Sequence, residues 1–93
     1  MKYTHIKTDG TKEVLTFSKP PSMEQLQKLV GGSFQMITLP NRDMFWCNEE
    51  GYAKRLPYNI EATKIWRSAF PIEKYPYNNA YQIMGDILLV ERS

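Results

Sequence analysis

The chain carries a single cysteine, Cys47, and a single histidine, His5, in 93 residues. One thiol excludes an intramolecular disulfide, and a thiol with one imidazole leaves a zinc site two ligands short. This thiol usage fits a reducing compartment. Charge of one sign is scarce as well. Twelve Lys and Arg against ten Asp and Glu give a net charge of +2, and Lys2, Lys7, Lys12, Lys19 and Lys28 are interspersed with Asp9, Glu13 and Glu24. Nucleic-acid binding needs a clustered basic face, so that class is disfavoured. The longest apolar run, residues 87–90, is far below the roughly 20 residues of a membrane helix. Residues 1–11 are polar throughout and lack the apolar core of a secretion signal. No repeat, phosphate-binding loop, cofactor anchor or catalytic set is visible, so a cytosolic, non-enzymatic protein is expected.

What is present is aromatic: six Tyr, four Phe and two Trp. A chain of this length forms one domain and buries only roughly 60 to 65% of its unfolded surface, so aromatic area or a partner subunit matters to its stability. Residues 2–7 and 13–17 are β-rich and are separated by Asp9-Gly10, which predicts an N-terminal hairpin closed by positive φ angles. Pro20-Pro21 stops the second strand. Ser22 with Gln25 forms a capping box for a helix whose apolar positions are Met23, Leu26, Leu29 and Val30, ended by Gly31-Gly32.

Residues 34–39 and 44–47 predict two strands about a turn at Pro40-Asn41-Arg42-Asp43, the second apolar enough to be covered on both faces. After the turn Glu49-Glu50-Gly51, Tyr52 is expected to begin a short extended piece. Asn59 caps a second helix with a stripe of Ala62, Ile65, Trp66 and Ala69, stopped by Pro71. Residues 71–79 read as a surface loop, residues 80–84 as a short helical turn, and residues 86–91 as a closing strand inside the sheet. The fold class expected is α+β: about five strands in a mostly antiparallel sheet with two helices packed on one face.

Residues 47–63 carry the clearest signature. Val30-Gly31-Gly32, Leu39-Pro40, Asn48-Glu49-Glu50-Gly51, Leu56-Pro57-Tyr58-Asn59 with Ala62-Thr63, and Gly85-Asp86-Ile87 follow in the order and spacing of a small phage-, virus- and plasmid-borne family. The chain resembles the family catalogued as domain of unknown function 3846, over most of its length. The segment 71–79 departs from it by being longer and more aromatic. The resemblance implies a phage-type origin and a place in the host cytosol, and it implies no activity.

Candidate sites follow from residue type. Cys47 has no base placed beside it by the sequence and reads as a buried structural thiol, and His5 as a satisfied strand residue. Glu49 and Glu50 are neighbours and point apart, so acid–base work needs a facing carboxylate from Asp43 or Glu61. As a polar turn flanked by Asn48 and Asn59, however, the pair can recognise a ligand. Arg42 and Asp43 are turn residues. Arg42, Lys54, Arg55, Lys64 and Arg67 form a candidate basic rim for an anion. Trp66 belongs to the core, while Trp46 can face either way. Tyr75, Tyr77 and Tyr81 form an aromatic recognition cluster. Binding to a host or viral protein, with possible self-association, is the leading expectation. A nucleotide-type binder, with Arg42, Arg55 or Arg67 meeting a Tyr in a concavity, is the alternative, and weak nucleic-acid binding the third. No membrane or metal partner is expected.

Overall fold

A computed structural model describes residues 1–70 and 82–92. Five strands, β1 (Lys2–Ile6), β2 (Lys12–Leu15), β3 (Phe34–Thr38), β4 (Met44–Asn48) and β5 (Ile87–Glu91), form one antiparallel sheet in the order β2-β1-β5-β4-β3. Two helices, α1 (Met23–Val30) and α2 (Ile60–Ala69), complete an α+β domain. The last strand lies at the centre, as its four successive aliphatic residues require: Ile87, Leu88, Leu89 and Val90 are all buried.

Those four residues also decide where the helices go. Alternation sends Ile87 and Leu89 into a cluster with Phe45, Cys47, Ala62 and Trp66, so α2 covers that face. Leu88 and Val90 point the other way and meet Leu26 of α1. The helices therefore take opposite faces of the sheet, which corrects the expectation that both pack on one. The physical reason is that a central strand apolar at every position needs cover on each side.

Both hairpins close by the same device, a three-residue loop whose last residue is left-handed. In the first, Gly10 N–H donates to Lys7 O at 3.0 Å and Lys7 N–H to Thr11 O at 2.9 Å, with Gly10 at φ 90. Asp9 has an ordinary φ, and its carboxylate accepts from Thr11 N–H at 2.8 Å; hydrogen bonding from the Thr11 side chain, and then from this backbone N–H, lowers its pKa. In the second, Arg42 N–H donates to Leu39 O at 2.9 Å and Leu39 N–H to Asp43 O at 2.8 Å. Here the left-handed residue is not glycine but Arg42, at φ 75.

α1 begins at the expected capping box, Ser22 and Gln25 bonding each other's backbone at 3.2 and 2.8 Å, and ends on Gly31 at φ 80. Met23, expected on its apolar stripe, is instead 68% exposed. α2 is capped by Asn59 as expected. Residues 49–55 form successive turns rather than an extended piece, Tyr58 bridges Met84, and residues 82–84 are not helical. The expected loop 71–79 lies outside the described residues, as does the start of the expected turn 80–84.

Candidate functional site

The face beneath α1 is incompletely covered, for a geometric reason. Eight helical residues reach only about 12 Å, whereas five strands span about 19 Å. The uncovered part holds a groove of about 240 Å³ between the Pro20-Pro21 segment, Tyr3, Leu26, Met44 and Trp46. Strand alternation assembles it: Tyr3 of β1, Val90 of β5 and Met44 and Trp46 of β4 all point to this side. Trp46 is held edge-on against Phe34, ring centres 5.1 Å apart, and Tyr3 edge-on against Phe17 at 4.9 Å. Around them Met1 is 66% and Met36 49% exposed. With Met23 on the first turn of α1, the face presents three accessible thioethers beside an indole held in one orientation.

The opposite face carries a larger groove of about 600 Å³, floored by Thr4, Ile6 and Leu89 and walled by Ile65 and Ala69 of α2. Three lysines, Lys2, Lys12 and Lys64, reach its rim. Their charge is largely answered in place: Lys12 and Lys64 both approach Glu61, at 3.4 and 3.8 Å, and Lys2 stands opposite Glu91 across the strand pair. Among the described residues, none of Arg42, Arg55, Arg67, Tyr3, Tyr52 or Tyr58 lines it. The Thr4 hydroxyl on its floor is buried without a hydrogen-bond partner. Lys2 and Lys12 escaped the sequence reading because only the β1–β2 pairing, with Ile6 opposite Lys12, brings them beside α2.

Of the residues expected to bind, two are structural. Asn59 is fully buried, and its amide is spent on backbone: Oδ1 accepts from Ala62 N–H at 3.0 Å, while Nδ2 donates to Ile6 O and Gly85 O, each at 3.0 Å. Asn48 is 5% exposed and staples the end of α1 to the following turn, donating to Val30 O at 3.2 Å and accepting from Glu50 N–H at 2.8 Å. Both side chains are therefore buried and bonded to backbone rather than presented at the surface.

Arg42, Glu49, Glu50 and Arg55 are exposed. Asp43 is half-buried and accepts from Asn41 Nδ2 and Arg92 N–H, locking the turn. Arg42 and Asp43 sit at one end of β4 and Glu49 and Glu50 at the other, so these carboxylates do not face one another. Glu61, the other possible facing carboxylate, lies on α2 between two lysines. Arg55, at φ 53, closes the turn after Tyr52. Tyr75, Tyr77 and Tyr81 lie outside the described residues.

Cys47 is 3% exposed, and burial raises its pKa, only partly opposed by the Gln35 amide at 3.7 Å. His5, across the sheet from it, has Nε2 on Leu29 O at 2.8 Å, which fixes Nε2 as the donor. Native protein is therefore expected to resist a thiol reagent that labels Cys47 fully after denaturation; equal labelling rates would contradict the burial. The linkage sign follows from the raised pKa. The neutral thiol's contribution is complete below the ordinary value of 9.0 and is lost as pH rises through the higher folded value.

The described residues form an α+β sheet domain with an apolar face and a lysine-rimmed groove, and no proton-transfer pair is assembled among them. The chain belongs to the family described as domain of unknown function (DUF3846), whose model matches residues 1–93. No curated protein and no solved structure matches it. Among the described residues no helix is long and apolar enough to cross a membrane.

Proposed function

We propose that this chain is a non-enzymatic accessory protein of phage type that acts in the host cytosol by binding another protein, host or viral, through the face beside α1. The observation that carries the reading is a groove lined by Met1, Tyr3, Met44 and Trp46, with Met23 of α1 and Met36 of β3 exposed on neighbouring elements. Flexible thioethers adapt to a partner, and a fixed aromatic anchor supplies area at low entropic loss. The buried thiol and the separated carboxylates support a binding role over turnover. Affinity capture from host lysate tests it: the wild-type chain should retain a discrete protein that Met23→Glu and Trp46→Ala lose while keeping a native circular dichroism spectrum. Equal retention by all three contradicts it.

A second reading, a nucleotide-type ligand in the lysine-rimmed groove, is favoured by its volume and by the unpartnered Thr4 hydroxyl. It is weakened by the carboxylates that answer the lysines. A nucleotide at about 100 times its dissociation constant should then stabilise the fold by about 2.7 kcal/mol. No thermal shift with any nucleotide removes this reading. Among the described residues no clustered basic face supports weak nucleic-acid binding.

A further inference from the structure

The two edges of the sheet are protected very differently. β2 carries Lys12 and Glu13 on its four residues, the charged dressing that keeps an edge from pairing with another chain. β3, Phe-Gln-Met-Ile-Thr, has no charge, no proline and no glycine, and no described strand covers its outer side. Its hydrogen-bonding pattern is fixed by its ends. Leu39 N–H donates to Asp43 O and Ser33 O accepts from Glu49 N–H, so the odd-numbered residues 33–39 turn their amides toward β4. By alternation, Phe34, Met36 and Thr38 point N–H and C=O outward.

That outward set is its own complement. We propose that two copies of this chain pair edge to edge through β3, antiparallel about a two-fold axis at Met36, making one continuous ten-stranded sheet from two five-stranded ones. Met36 then faces the partner's Met36 and Phe34 faces Thr38, so three outward pairs exchange two bonds each, about six in all. One residue of slip would set inward amides against outward ones, which fixes the register. On the α1 side the axis joins two Met36 side chains, each 49% exposed in the single chain, and brings the two Phe34–Trp46 pairs toward one another.

Charge agrees with this pairing. The turn end of β3 carries the exposed Arg42 at its tip, and the other end carries the exposed Glu49 and Glu50. Antiparallel pairing sets each end against its opposite in the partner. Parallel pairing would set like against like. Arg42 supplies an independent mark: it holds the left-handed position that Gly10 occupies in the sister hairpin, a conformation that costs a non-glycine residue about 1 kcal/mol. A strained arginine at the tip that meets the partner's Glu49 and Glu50 has a reason to be an arginine.

This inference shares only Met36 with the protein-binding reading: a monomer could still bind through Met1, Met23 and Trp46, and a dimer need bind nothing else. Light scattering of the whole chain over a concentration series tests it, and a mass rising to twice 10.9 kDa is expected. Met36→Pro removes the outward N–H on the axis and leaves the β3–β4 bonds alone, so it should give a monomer. Arg42→Glu should weaken association about tenfold or more, because the contact occurs twice per dimer. Adding Glu49→Lys and Glu50→Lys should restore it. Arg42→Gly separates the roles, leaving the fold at least as stable while weakening the dimer. A monomer at every concentration, an assembly larger than two, or a dimer indifferent to Arg42→Glu overturns the proposal. The charge variants decide the matter should Met36→Pro not fold.

Discussion

Replacing Asn59 by aspartate is expected to destabilise the domain by about 3 kcal/mol or more, although the side chains are nearly the same shape. The helix cap alone would survive, since a carboxylate oxygen still accepts from Ala62 N–H. What is lost is the pair of donors. Nδ2 bonds Ile6 O and Gly85 O, and a carboxylate there would face two carbonyl oxygens with full burial and no cation. Around it the network is closed: Asn59 N–H donates to Ile83 O, and Thr63 Oγ1 donates to Asn59 O and accepts from Ile83 N–H. One side chain thus ties α2 to β1 and to the segment entering β5. The urea midpoint measures the loss, which should shrink as pH falls. The substituted carboxyl has a folded pKa raised by burial, so its protonated form is the one the fold tolerates. A loss below 1 kcal/mol would contradict the role assigned to Asn59.

Phe45→Ala should cost about 3–5 kcal/mol, a large part of the 5–15 kcal/mol that holds a typical domain together. Phe45 is fully buried in the cluster that joins the sheet to α2. Its neighbours cannot close the gap easily, because Leu89 is its cross-strand partner and already packs in the same cluster. The result is read from chemical denaturation with an unchanged slope. A cost near that of an exposed site, as at Met36, would place Phe45 outside the core and overturn the described packing.

Much of this architecture was legible because its signals are local. The Ser22–Gln25 box, the Asn59 cap and the aliphatic run at residues 87–90 each name an element without knowledge of the fold, and each is where it was expected. The placement of the helices was not local, yet the same run implied it: a strand apolar on both faces cannot be served by helices on one. The burial of Asn59 and Asn48 was not legible, because an asparagine beside a turn reads alike whether its amide faces solvent or backbone carbonyls. Only the approach of Ile6, Gly85 and Val30, far away in sequence, decides between them. The Met1–Tyr3–Trp46 face was invisible for a similar reason, since it is assembled from three strands and a loop whose proximity comes from sheet order alone.

The claim that this protein works by presenting its α1 face is tested most directly by oxidative footprinting of its methionines, free and in complex with a captured partner. Met1, Met23 and Met44 should be protected in the complex, while Met84, which packs against Gly51 away from that face, should oxidise at an unchanged rate. Protection of Met84 with no change at Met23 and Met44 would contradict the account.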